Sequence, residues 1–380
     1  MILQNFAYSE FNKTDPKYWE LEDFKLNTIN LIVGNNASGK TRTLNVIKSL
    51  TNVLLNSRIP YKTGTYKTHF SNHKTIINYN LVLNDGIVQN EELIIDGEKL
   101  IERISDGSGT IKSMENHQIQ KFKIPTNELV ALRRDDIQYP YLNLLFDWAS
   151  QLRHFRFATE NEKQRYVALV DSNKSRPEDF NLKEADKSIE VFRRGKKNYS
   201  DEFINNIISD FRMIGYNVDN VDLGPLESIQ VESPIPSKVV GLHVKESDRS
   251  GITDQNAMSD GMFRALSMLI HFNYYQLEKK KGTVLIDDIG EGLDFDRSTK
   301  LIKLLIEKSK KIGIQLIMST NDKFVMNNTP LEFWQITHRD GGIVTMYNKQ
   351  NSEKIFDEFR FTGLNNFDFF TTNFFKTGLN

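Results

Sequence analysis

Two periodicities of apolar and polar residues alternate along the chain. "LQNFAYSEF" and "TINLIV" are short β-rich apolar runs that read as strands. Leu44, Ile47, Leu50, Val53 and Leu54 then recur three and four residues apart, which predicts a helix over Thr41–Leu55. Past residue 75 the stretch turns β-rich. Asp85-Gly86, Asp96-Gly97 and Asp106-Gly107 punctuate it at nearly even intervals. Asp-Gly supplies the positive φ that tight hairpin turns demand, so an antiparallel meander is expected.

Further on, "YLNLLFDWASQLRHF" has a helical pattern, and residues 160–215 are highly charged and mostly helical in pattern, broken at Pro177. "LESIQVE" and "KVVGLHVKE" return to strand. A helix is predicted from Met258 to about Leu277, a buried strand at "TVLIDD" and an amphipathic helix over Asp296–Lys311. A second buried strand follows at "IGIQLIMST", and "FWQITHRDGGIVTMY" predicts a hairpin turning at Asp340–Gly342. The pattern implies one discontinuous α/β domain over residues 1–350, with an N-lobe of about 1–150 and a C-lobe of about 235–350. A helical insertion is expected at 160–235 and an aromatic-rich tail at 351–380.

Composition narrows this picture only by exclusion. The chain has 380 residues, with 49 basic and 50 acidic side chains, so no global charge points to a polyanion. The absence of cysteine excludes disulfides, cysteine zinc sites and a thiol nucleophile. The seven histidines lack metal-ligand spacing and read as structural. "MILQNFAYSEFNK" has no basic stretch leading into an apolar one, and no apolar run approaches the ~20 residues of a membrane span. A cytoplasmic protein without a membrane partner is the expectation.

The chemistry concentrates where the first buried strand ends. Gly34-Asn35-Asn36-Ala37-Ser38-Gly39-Lys40-Thr41 fits G-x-x-x-x-G-K-[ST], with a strand before it and a helix after it. The glycines let the backbone curl so that successive N–H groups face phosphate oxygens, and the helix N-terminus adds partial positive charge. Lys40 is expected on the β- and γ-phosphates and Thr41 on Mg²⁺, with Arg42 completing the nucleotide-binding set. Such a loop needs a carboxylate at the end of a neighbouring strand. "TVLIDD" supplies Asp287 as the second metal-side ligand and Asp288 where a water-orienting base would sit.

Two further stretches carry a family resemblance. "MSDGMFRAL" resembles the signature motif of ABC-type ATPases, with Ser259, Asp260 and Gly261 opening a helix. "DDIGEGLD" aligns with that family's Walker B segment and D-loop, whose slot is filled by Gly292-Leu293-Asp294. Over roughly residues 1–150 and 235–350 the chain is similar to SMC/RecF-like members, including OLD-type (overcoming lysogenization defect) ATPases. The resemblance implies an α/β fold: an ABC-type P-loop NTPase head with an antiparallel β lobe and a helical insertion. It implies ATP and Mg²⁺ as cofactors. It also implies a homodimer or higher homo-oligomer in which the Ser259 helix of one subunit seals the nucleotide on Lys40 of the other.

This chain departs from the family pattern at two positions. Asp288 stands where a glutamate is usual, with Glu291 as a substitute, and Asn321 fills the switch-histidine slot. Aspartate is one methylene shorter, and asparagine cannot carry a proton, so slow hydrolysis is expected. The leading functional expectation is an ATP-dependent switch in bacterial antiphage defence, controlling a separate effector protein such as a nuclease or toxin. A DNA-repair ATPase acting directly on DNA and a non-hydrolysing ATP-gated scaffold stay open as alternatives, and nucleic acid stays open as a partner. Arg193-Arg194-Gly195-Lys196-Lys197 and the Arg153–Arg156 stretch are candidate phosphate contacts, against solvated or packed faces. The tail holds eight of the 25 phenylalanines and reads equally as a docking patch or as core.

Overall fold

A computed structural model describes residues 1–56, 62–156, 167–170, 188–226 and 237–378. β1 (Ile2–Glu10), β2 (Trp19–Lys25) and β3 (Ile29–Val33) lead into α1 (Lys40–Leu54). The expected meander follows as β4 (Gly64–Asn72), β5 (Thr75–Asn84), β6 (Ile87–Ile95), β7 (Glu98–Ile104), β8 (Ser108–Lys112) and β9 (Ile119–Lys123). Its three Asp-Gly pairs sit at the β5–β6, β6–β7 and β7–β8 turns, where Gly86, Gly97 and Gly107 all have positive φ.

The middle of the chain holds α2 (Leu142–Gln151), β10 (Arg153–Arg156), β11 (Val167–Val170), α3 (Ser188–Met213), β12 (Val218–Pro225), β13 (Ser237–Glu246) and β14 (Thr253–Asp254). Next come α4 (Asp260–Glu278), β15 (Thr283–Asp287), α5 (Phe295–Ile312), β16 (Gln315–Thr320) and α6 (Lys323–Asn328). The chain closes through β17 (Trp334–Asp340), β18 (Ile343–Asn348), α7 (Glu353–Phe359), α8 (Asn366–Thr371) and α9 (Phe374–Thr377).

One 14-stranded sheet runs β10-β15-β16-β3-β17-β18-β2-β1-β4-β5-β6-β7-β8-β9. From β10 to β17 neighbouring strands are parallel, and the lobe from β2 to β9 is antiparallel. Parallel strands covered on both faces carry near-continuous apolar runs, and β3, β15 and β16 are buried at every position. Leu31 and Val33 of β3 pack into the core under α4 and α5, whereas Ile32 between them packs into the core under α1 and α2. The parallel register gathers the carboxyl ends of β3, β15 and β16 on one side, where open α/β sheets bind ligands.

Two readings change. "YLNLLFDWASQLRHF" is helical only to Gln151. Arg153–Arg156 is instead a parallel strand on β15, because ladder pairing at the sheet edge overrides the local helical pattern. Residues 160–235, expected as a helical insertion, contain α3 but also β11 and β12, which flank β13 in a second sheet. Pro177 and most of "LESIQVE" lie outside the described residues. The tail folds back: Phe356, Phe359, Phe369, Phe374 and Phe375 join the core, while Phe361 stays 89% exposed. In the basic run, Arg193 pairs with Glu190 and Lys196 with Asp222.

Candidate functional site

The loop after β3 is shaped by two backbone demands. Gly39 has φ +105° at the N-cap of α1, a conformation that strains any residue with a Cβ. Gly34 has no such φ, but a Cβ there would stand 2.0 Å from Thr337 Oγ1 and 2.6 Å from Ser38 Oγ. Those two hydroxyls lie 2.6 Å apart, and Thr337 also donates to the Val33 carbonyl at 3.1 Å. The loop is thus clamped against β17, a strand more than 300 residues away in sequence. Lys40 arches back and donates to the carbonyls of Gly34 (2.8 Å) and Asn35 (3.1 Å). Burial lowers its pKa, against the opposing pull of Asp288 and then Asp287.

At the mouth of the loop, Thr41 Oγ1 donates to Asp287 Oδ1 at 3.0 Å, and Ser319 Oγ donates to the same oxygen at 2.6 Å. The expected metal pair, Thr41 and Asp287, is therefore brought together from residues 246 positions apart. Among the described residues no cluster of three or more His, Asp or Glu forms a metal site by itself. Thr41 and Asp287 suit Mg²⁺, which usually takes one or two protein oxygens and leaves its other positions to phosphate and water.

Asp288 sits at φ +52°, and its N–H donates to Ser319 Oγ at 3.0 Å. Its pKa is raised, first by burial and then by the carboxylates of Asp287 and Glu291; Lys40 and Arg264 oppose the shift. Glu291 is turned to α4, where Arg264 donates to its carbonyl and its carboxylate, both at 3.0 Å. Asn321 donates to Asn36 Oδ1 at 3.1 Å and so closes the loop from the β16 side.

Ser259 caps α4, its Oγ accepting from Met262 N at 3.2 Å, and Asp260 lies in the first turn. A Cβ on Gly261 would stand 2.1 Å from the Gly292 carbonyl, so the start of α4 lies directly on the loop between β15 and α5 of the same chain. Asp294 caps α5, accepting from Arg297 N at 2.9 Å and pairing with its guanidinium at 3.0 Å. Arg42, expected with the nucleotide-binding residues, is ion-paired to Glu10 and lies 4.5 Å over the Trp19 ring. That ties α1 to β1 and β2.

Sequence reasoning missed Ser319, Thr337 and Arg339, while Arg264 is the arginine of the "SDG…R" signature stretch. Ser319 has a visible signal, a polar residue near the end of a buried strand. The others reveal their place only through pairing. Arg339 Nη1 donates to the Ala37 carbonyl at 3.2 Å. A cavity of about 270 Å³ lies between Asn35–Ser38 and the Thr337–Arg339 stretch.

A glycine loop after β3, an acidic pair ending β15 and a serine-capped helix packed on the following loop stand together on a sheet with the fold of an SMC-type P-loop head. Solved structures share this fold. The SMC head bound to the C-terminal winged-helix domain of ScpA superposes with a TM-score of 0.50 at 14% identity, covering 91% of this chain and 97% of that one. The Smc head with an extended coiled coil, bound to the C-terminal domain of ScpA from Pyrococcus furiosus, gives 0.50 at 13% identity, covering 94% and 99%. Comparison with curated proteins finds no match. Residues 29–327 match the family described as "AAA domain, putative AbiEii toxin, Type IV TA system", and the chain belongs to that family.

Proposed function

We propose that this chain binds MgATP on Gly34–Thr41, pairs with a second copy across the nucleotides, and hydrolyses ATP slowly as a switch that controls a separate effector in bacterial antiphage defence. One observation carries the nucleotide reading: Thr41 and Asp287 converge at 3.0 Å beside Lys40, at the mouth of the glycine loop. Mg²⁺ held by Thr41 and Asp287 would supply charge neutralisation for the bound phosphates. Lys40 leaves the loop carbonyls for phosphate oxygens. Asp288 accepts a proton from the attacking water, its raised pKa suiting a base, and Asn321 holds the loop in register. Ser259 and Gly261 then cap the nucleotide of the partner copy, so that ATP acts as a bridge and its hydrolysis releases the pair. The family's description as a putative toxin of a toxin–antitoxin system supports a defence role over DNA repair. The SMC heads crystallised with ScpA domains support a head that works through a protein partner.

The test is phosphate release and ATP-dependent sedimentation, with and without duplex DNA, for the parent, Lys40→Ala and Asp288→Asn. Lys40→Ala should lose nucleotide binding. Asp288→Asn should keep binding, slow turnover by about 10²–10⁴-fold and accumulate the ATP-bound pair. Duplex DNA should leave the rate unchanged. Undiminished turnover in Asp288→Asn would remove Asp288 as the base, and stimulation by DNA would favour the repair reading.

A further inference from the structure

The glycine loop is held from two sides. From inside, the Lys40 ammonium donates to the Gly34 and Asn35 carbonyls at 2.8 and 3.1 Å. From outside, three side chains grip three successive loop residues. Asn321 donates to Asn36 Oδ1 at 3.1 Å, Arg339 donates to the Ala37 carbonyl at 3.2 Å, and Thr337 Oγ1 meets Ser38 Oγ at 2.6 Å. Thr337 and Arg339 both belong to β17. A phosphate that draws Lys40 to itself breaks the inner contacts and leaves the outer ones to hold the loop.

A hydroxyl has one proton and two lone pairs, which fixes the direction of the Ser38–Thr337 bond. Thr337 gives its proton to the Val33 carbonyl at 3.1 Å. The proton between the two hydroxyls therefore comes from Ser38, which donates to Thr337 Oγ1. Both side chains are buried, so each depends on the other for that bond. Ser38 Oγ keeps only lone pairs for any other neighbour, and lone pairs repel a phosphate oxygen. Ser38 belongs to the glycine-loop motif, yet its one proton is directed into β17.

We propose that Thr337 is a positioning residue for the nucleotide, fixing the phosphate loop through Ser38, and that Ser38 serves the nucleotide only through this bond. This rests on the reading that Gly34–Thr41 binds MgATP. In the free chain, Lys40 still gathers the loop when the Thr337 anchor is removed. Once phosphate takes Lys40, the loop depends on β17 and Asn321 for its shape. Loss of the anchor therefore falls on nucleotide affinity.

The experiment titrates the full chain with a magnesium-bound, non-hydrolysable ATP analogue by calorimetry, below the melting temperature of every variant. Thr337→Ala should weaken binding about five- to fiftyfold, the size of one or two lost hydrogen bonds. Thr337→Ser keeps the hydroxyl and should restore most of the affinity. Ser38→Ala should weaken binding in the parent and add little in the Thr337→Ala background, since the two hydroxyls act as one unit. Three outcomes overturn the proposal alone. Thr337→Ala binds like the parent, with only its melting temperature lowered. Thr337→Ser binds as weakly as Thr337→Ala, so that the methyl group and not the hydroxyl matters. Ser38→Ala costs as much in the Thr337→Ala background as in the parent, so that Ser38 meets phosphate directly. If the parent does not bind the analogue, or Lys40→Ala binds it equally well, the reading of Gly34–Thr41 fails first.

Discussion

At the scale of single residues, Asp288 carries an electrostatic cost in the folded chain. Its carboxyl is half-buried beside Asp287 and Glu291, and its pKa is raised above the usual 3.8. A folded-state pKa above the unfolded one means that the folded chain binds the proton more tightly. Stability therefore falls as pH rises from the unfolded value through the raised one, and the charge is unfavourable at neutral pH. Asp288→Asn should melt at a higher temperature than the parent at pH 7. The difference should vanish below the usual aspartate range, and thermal unfolding at two pH values checks both. The motif residues Gly34, Lys40, Thr41 and Asp287 were legible in the sequence because phosphate chemistry demands those types at that spacing. Thr337 was not, because its role is steric: it closes on a glycine without a Cβ, and nothing near it in sequence says so.

At the scale of elements, α3, α4 and α5 meet in a small buried polar network. Lys308 pairs with Asp210 at 2.8 Å, and Asn273 donates to Asp210 at 2.6 Å while accepting from Lys308 at 3.0 Å. The Asp210 and Lys308 side chains are only 9% and 12% exposed, so removing either leaves its partner's polar group poorly satisfied. Asp210→Ala should leave a buried ammonium without its carboxylate and cost roughly 3–5 kcal/mol, measurable by chemical denaturation. Paired Asp210→Leu and Lys308→Met changes should recover much of that loss. The positions of α1, α4 and α5 were legible from the 3.6-residue period, whereas the short helices α6 to α9 were not. The early end of α2 was not, because β10 exists only by pairing with β15.

For the whole molecule, the tail is part of the fold. Phe369 is fully buried, with Phe356 and Phe359 each at 4.7 Å between ring centroids. α8 is pinned by Phe367 N donating to Asn327 at 2.8 Å and by Asn366 donating to the Thr329 carbonyl at 3.0 Å. Phe369→Ala should cost about 3–5 kcal/mol in the denaturation midpoint analysis, as for other emptied aromatic sites. Phe361→Ser, at 89% exposure, should cost almost nothing. A tail that served only for docking would show the reverse.

Local spacing by itself determined the strand–loop–helix of the phosphate site, the meander, the acidic strand end and the serine-capped helix, because each follows from turn chemistry or periodicity over a few residues. Tertiary structure alone decided that Thr41 meets Asp287, that Glu291 turns to Arg264, and that most of the tail's phenylalanines go inward. Those outcomes depend on which strands pair and which faces are covered. Such contacts join residues tens to hundreds of positions apart, and no local pattern encodes them.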